Sequence, residues 1–364
     1  MRILHLSSER TWRGGEQQIA YLMRVLAQNG VENVLAARRG SEMASRYPEA
    51  VLLPFRGEWD LATAWGIKRL VEERGVDLVH AHTGHGHTLA VLAAQFGMKV
   101  PVVVSKRTDY PVKDNAFSRW KFNHSAVKRY LCVSDKIREI LGRDLTHPTI
   151  ARTVHSGIDI GRFPSAPKVD VRTLAGLPAQ ARVVVSTAAI SPQKDYGTFV
   201  RVAEATRIHH PNLHYVICGE GPSETEIKAL VREKKLEDTV HFIGFRRDLP
   251  DFLGSADVFL ITSREEGLGT SILDAFAVRL PVVATAAGGI PEIVRHGETG
   301  LLAPVGDHAM LATHVENTVF VAGNLRSQTV ARARQLAEEF SFERTGAKTL
   351  ENYRELLGMR FPTA

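Results

Sequence analysis

Val258-Phe259-Leu260-Ile261-Thr262 runs directly into Ser263-Arg264-Glu265-Glu266-Gly267-Leu268-Gly269-Thr270-Ser271-Ile272-Leu273-Asp274-Ala275. The first five residues are apolar, β-branched or aromatic and read as a buried strand. A helical pattern takes over near Thr270 or Ser271. Gly267 and Gly269 flank the helix N-terminus, so unpaired N–H groups and the positive dipole end converge on one spot. That makes an anion site out of backbone. Glu266 sits in the loop and Asp274 lies about one turn into the helix. A carboxylate beside a phosphate site repels phosphate, so it is expected to face hydroxyls; sugars and riboses offer them in adjacent pairs. For Asp274 helix capping is the alternative, because Ser271 and Asp274 approximate a capping box.

The same strand–loop–helix unit recurs along the chain. In the second half, strands are expected at Arg182–Thr187, His214–Cys218, Val240–Ile243, Val258–Thr262, Val282–Ala284 and Leu301–Ala303. Helices fall between them, one opened by the capping-box pattern Ser223-Glu224-Thr225-Glu226. In the first half, strands are expected at Arg2–Ser8, Asn33–Ala37, Leu78–His82, Val102–Lys106, Tyr130–Ser134 and Thr153–His155. Helical patterns there cover Gly15–Asn29, Leu61–Arg74 and Asp135–Leu145. Apolar strands alternating with amphipathic helices imply parallel sheets covered on both faces, and two such sets imply two doubly wound α/β domains. Phe163-Pro164-Ser165-Ala166-Pro167 reads as the linker between them. A length of 364 residues agrees with two domains. The final helical run, Phe342–Leu357, follows the second sheet and can stay with it or cross back to the first domain.

Composition excludes several classes. With 44% hydrophobic and 24% charged residues, the chain is neither disordered nor collagen-like, and two cysteines make no disulfide scaffold. Cys132 and Cys218 each sit in an apolar strand and fit a reducing cytoplasm. No apolar run is long enough for a spanning helix, and the first residues are too polar for a signal peptide. Residues 1–165 carry 24 basic and 16 acidic residues, and the excess is densest from Lys99 to Arg152, with 12 against 5. Such a field attracts phosphates or anionic lipid, or it is simply a solvated face. No recognition helix, zinc motif or aromatic-interleaved basic run supports a nucleic-acid partner.

Other strand-end loops add to the first. Gly14-Gly15 follows the first strand and opens the first helix, where a backbone without Cβ atoms can approach an anion or make a plain turn. Lys194, just before a helix capped by Asp195, is placed to neutralise a diphosphate. Gly219-Glu220-Gly221 ends the next strand with the same glycine-rich character. The fingerprint G-x-G-x-x-G is absent, which argues against a nicotinamide or flavin enzyme. His80-Ala81-His82-Thr83-Gly84-His85-Gly86-His87 places four imidazoles near one strand end. An extended strand alternates faces and suits a tetrahedral metal poorly, so histidines touching a sugar or phosphate are expected, His82 first, with plain solvent-facing positions the alternative for His85 and His87.

Together these segments resemble glycosyltransferase family 4. The resemblance is carried, in order, by Gly14-Gly15, His80-Ala81-His82, His155-Ser156-Gly157-Ile158-Asp159 with Phe163, Gln193-Lys194-Asp195, Gly219-Glu220-Gly221 and Phe242-Ile243-Gly244-Phe245. It continues through Glu266-Gly267-Leu268-Gly269 to Asp274, Pro281–Thr285, Gly288–Val294 and Gly297–Leu302. It implies an α/β GT-B fold, two Rossmann-like domains facing each other across a cleft. Residues 1–164 would bind the acceptor, residues 165–341 the nucleotide-sugar donor, and the 342–364 helix would pack back on the first domain. It implies retaining, metal-independent transfer from a nucleotide diphosphate sugar, UDP-sugar favoured, to a glycan or glycolipid; the sequence contains no D-x-D. No cofactor is implied, the nucleotide sugar being a co-substrate. By position, Glu266 would lie at the donor sugar. The backbone of Gly267, Leu268, Gly269 and Thr270 would hold the sugar and phosphates. Asp274 would take the ribose hydroxyls and Lys194 the diphosphate, with Gly14, Gly15, Ala189, Glu220 and Phe245 completing the donor site.

Three departures stand out. Asp274 replaces the family's second glutamate. Ala189 replaces an arginine, for which Arg107, Arg246 or Arg247 would substitute. Ser105-Lys106-Arg107-Thr108-Asp109 lacks the usual histidine, leaving His82 and Arg107 as the catalytic candidates of the first domain. The basic first domain suggests a phosphorylated or membrane-borne acceptor, such as a lipopolysaccharide core or a lipid-linked intermediate, and a cytoplasmic protein at the inner face of the membrane. A nucleotide-sugar epimerase and a catalytically degenerate sugar-nucleotide binder are the alternatives.

Overall fold

The computed structural model describes residues 1–321 and 324–359. The chain divides into two compact units: Met1–Gly157 together with the C-terminal segment that begins at Phe342, and Ile158–Ser341.

The first unit is built on seven strands: β1 (Arg2–Ser7), β2 (Glu32–Arg38), β3 (Val51–Leu53), β4 (Leu78–Ala81), β5 (Val102–Lys106), β6 (Val127–Cys132) and β7 (Ala151–Thr153). They are all parallel, in the order β3-β2-β1-β4-β5-β6-β7. Both faces of such a sheet are covered, so its central strands are mostly apolar, with His5 and His80 buried among them. Ile3, Leu78, Val103 and Leu131 form one core with Leu22, Leu26, Leu350 and Tyr353. The sequence reading missed β3, a three-residue edge strand too short for a periodic signal. It also missed the helix Gly84–Gln95. There the strand ends at Ala81 and Thr83 caps a new helix, its Oγ1 accepting the Gly86 N–H at 3.1 Å. His85 and His87 are therefore helical, not extended. His87 is buried against Tyr130 and Phe122, which excludes the solvent-facing alternative for it.

The last helix, Phe342–Leu356, lies on the helix Gly14–Gln28 of the first unit. Gly346 is the reason the two backbones approach so closely: a Cβ there would sit 2.5 Å from Val25 Cγ1. Phe342 meets Tyr21 at a tilt with ring centres 5.0 Å apart and lies 3.9 Å under the Arg24 guanidinium.

The second unit has β8 (Arg182–Thr187), β9 (Leu213–Cys218), β10 (Val240–Phe242), β11 (Val258–Ile261), β12 (Val282–Thr285) and β13 (Leu301–Ala303). Their order is β10-β9-β8-β11-β12-β13, again parallel. The order reverses between β8 and β11, where a doubly wound sheet places its ligand crevice. Val184, Phe199, Tyr215, Leu260 and Val315 are among the residues of its core.

Two local expectations are corrected. The division falls at Gly157/Ile158, before the Pro-bearing segment read as the linker. Ile158 donates its N–H to Phe340 O at 2.9 Å and bridges to Ser341, which ties it to the second unit. Ser223 stands at the N-cap of Glu224–Glu233 but its side chain makes no cap bond. Its φ and ψ of −92° and 4° are not extended, and its N–H goes to Ile190 O at 3.0 Å. Burial pushes the Cys132 and Cys218 thiols up to about 12 and about 11, so both are unreactive.

Candidate active site

In the second unit, the loops at the carboxyl ends of five neighbouring strands are stitched to one another. Thr262 Oγ1, just beyond β11, donates to the carbonyls of Lys194 and Asp195 at 3.1 and 3.0 Å, joining the β11 loop to the β8 loop. Ile190 N–H donates to Glu220 O at 3.0 Å, joining the β8 loop to the β9 loop. Phe245 N–H donates to Glu220 Oε1 at 3.3 Å, joining that loop to the segment after β10. Gly289 N–H, beyond β12, donates to Glu266 O at 3.0 Å. The β8 and β9 loops meet so closely that a Cβ at Gly219 would overlap the Ala188 carbonyl oxygen, and one at Gly221 the Ile190 carbonyl. The sequence signal for a ligand loop, Gly-Glu-Gly, is thus also a packing requirement.

Lys194 and Glu266 face each other across the switch point. The Lys194 ammonium is ion-paired with Glu266 Oε2, and both side chains are mostly enclosed. Ser263 Oγ donates to the same oxygen at 3.2 Å. Asp195, with a left-handed φ of 44°, caps Tyr196–Arg207 by accepting from Thr198 N–H at 3.2 Å. It also accepts from Arg264 Nε at 2.7 Å. Burial alone would raise its carboxyl, but the hydrogen bonds from Arg264 and Thr198 outweigh it and hold the group below the ordinary range. These contacts fix the backbone that carries Lys194. Ser263 and Arg264 were missed as supporting residues, because serine and arginine in a loop carry no spacing signal.

The helix Thr270–Ala277 starts at Gly269, whose φ of 91° is left-handed. No side chain caps it, so its first N–H groups remain available for an anion at the spot that Gly267, Leu268, Gly269 and Thr270 surround. The capping alternative for Asp274 fails, because Gly269 is the N-cap and Asp274 lies in the second turn. Asp274 takes no hydrogen bond from any described residue. Burial pushes its carboxyl up to about 7, only partly opposed by the Arg162 guanidinium. A carboxyl held this way is short of hydrogen-bond donors, which a pair of hydroxyls would supply. Ala189 places no cation here, and Arg246, one of the expected substitutes, is engaged by a carboxylate. Its guanidinium is bound bidentately to Asp248 at 2.9 and 2.6 Å.

The first unit brings Gly14, Gly15 and Arg107 together. Arg107 Nη1 donates to Gly15 O at 3.0 Å, beside the start of the helix Gly14–Gln28. Glu16 accepts from Arg13 N–H at 3.0 Å. Burial pushes Arg107 down to about 10 and raises Glu16, while each charge partly restores the other. Arg107 Nε is buried without a partner.

His82 is not at this surface. It is buried in a chain of hydrogen bonds that the sequence reading did not foresee. His5 Nε2 meets Asn33 Oδ1 at 3.0 Å, and Asn33 Nδ2 donates to Met23 O at 3.0 Å, so Asn33 must accept from His5. His5 Nδ1 therefore accepts from His82 Nε2 at 3.0 Å. His82 Nδ1 in turn faces Ser105 Oγ at 3.4 Å, Ser105 accepts from His80 Nε2 at 2.8 Å, and His80 Nδ1 accepts from the Tyr353 hydroxyl. Every imidazole is neutral in this order, and burial lowers all three, His5 to about 4. Ring nitrogens of His5, His80 and His82 lie within 4.8 Å of one another. A metal there would have to displace these bonds beside the Arg107 cation. The available signal was register: His5 pairs with His80 on adjacent strands. Gln18, His80, Ser105, Arg107 and Ser156 line a pocket of about 30 Å³, room for water at about 10–15 Å³ each.

Comparisons with known proteins agree with this fold. Residues 12–162 match the family described as Glycosyltransferase Family 4, and residues 172–335 match Glycosyl transferases group 1. The lipopolysaccharide core biosynthesis glycosyltransferase LpsE of Rhizobium meliloti is 25% identical over 91% of this chain and 92% of its own. D-inositol 3-phosphate glycosyltransferase of Mycobacterium bovis is 28% identical over 84% of this chain and 69% of its own. The Anabaena HepE structure in complex with UDP and glucose superposes with a TM-score of 0.82 at 20% identity, covering 96% of this chain and 98% of that one. The last of these shows the GT-B fold. With two doubly wound sheets and both halves matched, this chain is a glycosyltransferase and belongs to family 4.

Proposed function

We propose that the chain transfers a sugar from a UDP-sugar to a glycan or glycolipid acceptor of the cell envelope, with retention and without a metal. The observation that carries this is the Lys194–Glu266 pair set beside an uncapped helix N-terminus at the sheet's switch point. A diphosphate oxygen competes for the Lys194 ammonium, and a sugar hydroxyl competes for the Glu266 carboxylate. The HepE complex with UDP and glucose and the lipopolysaccharide role of LpsE support the donor and acceptor classes.

In this scheme the bond between the anomeric carbon and the diphosphate oxygen breaks first, through an oxocarbenium-like state. The electron pair goes to the diphosphate. Lys194 and the N–H groups at Gly269–Ser271 stabilise that charge, a contribution of about 10²–10³ in rate for a preorganised donor. The acceptor hydroxyl then bonds to the anomeric carbon from the face the diphosphate left, and its proton passes to the departing phosphate oxygen. Asp274 holds the ribose, and the second unit as a whole binds the donor. The first unit holds the acceptor.

The test incubates the full chain with UDP-, GDP- and ADP-sugars in chelator, with and without lipopolysaccharide-core acceptor, and reads the product anomer by NMR. Retained anomeric configuration with a UDP-sugar is expected. Inversion, a strict need for a divalent ion, or a Glu266→Ala enzyme with near-normal turnover would contradict the scheme.

A further inference from the structure

The helix Leu61–Arg74 buries Ala64, Ile67, Leu70 and Val71, yet it also carries large apolar side chains outward. Leu61 and Trp65, one turn apart, are 53% and 50% exposed, and Trp59 just before them is 65% exposed. These are joined by neighbours on adjacent helices. Trp59 meets Phe117 at a tilt with ring centres 4.6 Å apart, Phe117 meets Trp120 likewise at 5.6 Å, and Trp65 meets the exposed Phe96 edge-on at 6.4 Å. Two aromatic groups of this kind, Trp59–Phe117–Trp120 and Trp65–Phe96, set along one helix with exposed Leu61 between Trp59 and Trp65, are uncommon on a soluble surface and mark a contact site.

Its surroundings say what the contact is. Residues 95–128, which contribute Phe96, Phe117 and Trp120, hold seven basic and two acidic residues, a net charge of +5. Lys99, Lys113, Arg119 and Lys128 are exposed there. The Lys68 ammonium sits 5.0 Å from the Trp65 ring. Tryptophan has an apolar body and a polar N–H and settles at the level of lipid headgroups, while lysine and arginine attract anionic lipid. No helix among the described residues is long and apolar enough to cross a membrane, so the contact is interfacial.

We propose that the face of the first unit formed by Trp59, Leu61, Trp65, Phe96, Phe117 and Trp120, with its basic border, docks on an anionic lipid bilayer. This deepens the glycolipid-acceptor reading of the same unit, because a docked enzyme meets its acceptor at the membrane surface.

The test floats the full chain with vesicles of phosphatidylcholine alone and of phosphatidylcholine with phosphatidylglycerol. Two variants at exposed positions outside the donor site are compared, Trp59→Gln/Trp65→Gln and Lys99→Glu/Arg119→Glu, each with donor binding checked as a control for folding. Binding is expected only with phosphatidylglycerol. The charge variant should weaken it at least tenfold, at about fivefold per lost cation, and the aromatic variant about tenfold or more. Absence of flotation, equal flotation with both vesicles, or flotation unaffected by the aromatic changes would overturn the proposal. A self-associating chain made monomeric by Trp59→Gln/Trp65→Gln, without any vesicle binding, would assign the face to a second copy instead. A chain that floats but never transfers sugar refutes the proposed function alone; one that transfers but never floats refutes only the docking face.

Discussion

Replacing Asp274 with Asn is expected to stabilise the second unit at alkaline pH and leave it nearly unchanged in acid. Burial holds this carboxyl near 7 instead of its ordinary 3.8, and no described residue donates a hydrogen bond to it. The difference corresponds to about 4 kcal/mol of unfavourable ionisation at most. Its sign follows from linkage: a carboxyl raised on folding contributes stability below its unfolded pKa, and that contribution is lost as pH rises through the folded one. Between pH 5 and pH 8 the loss is about 2.5 kcal/mol. For a unit of this size that is about 5–10 °C in Tm. The assay is a set of thermal melts of wild type and Asp274→Asn across that range. The Tm of wild type should fall relative to the variant as pH rises. Parallel curves would show that Asp274 is solvated and ionised, which would refute the account of its environment and weaken its assignment to the ribose.

Other changes test the scaffold. Gly346→Ala forces a methyl into Val25 and should destabilise the docking of the last helix by about 1–3 kcal/mol, read from urea unfolding. Gly219→Ala drives a Cβ into the Ala188 carbonyl and should weaken UDP binding and lower Tm together, measured by calorimetry and melting. Tyr353→Phe leaves His80 Nδ1 unpaired and should cost about 1–3 kcal/mol at neutral pH. In wild type the buried neutral histidines, lowered on folding, contribute stability above about 6.5 that is lost as pH falls towards the folded values, about 4 for His5. Acid unfolding followed by tyrosine and tryptophan fluorescence should therefore steepen between those limits.

Much of the fold was legible because parallel strands buried on both faces print as continuous apolar runs. Arg182–Thr187 and Val102–Lys106 were bounded without error on that signal. Val51–Leu53 was not, since an edge strand of three residues has no period. Glycine-rich strand ends and a following helix located Glu266, Lys194 and the helix start at Thr270. The partnership of Lys194 with Glu266 was not legible, because it depends on the β8–β11 adjacency that sequence order hides. His82 misled for a related reason. Its spacing near other histidines suggested a surface role, whereas side-chain contacts with His5 and Ser105 draw it into the interior. The exposed Trp59–Trp65 face was invisible to pattern alone, since an amphipathic helix can carry apolar residues on two sides.

The most direct measurement is calorimetric titration of UDP into the full chain and its Lys194→Ala variant, in chelator. Wild type is expected to bind one UDP, and the variant to bind at least tenfold more weakly while keeping its fold. Equal affinities would mean that the diphosphate is not gripped at the switch point of the second sheet, and the proposed donor site would be wrong.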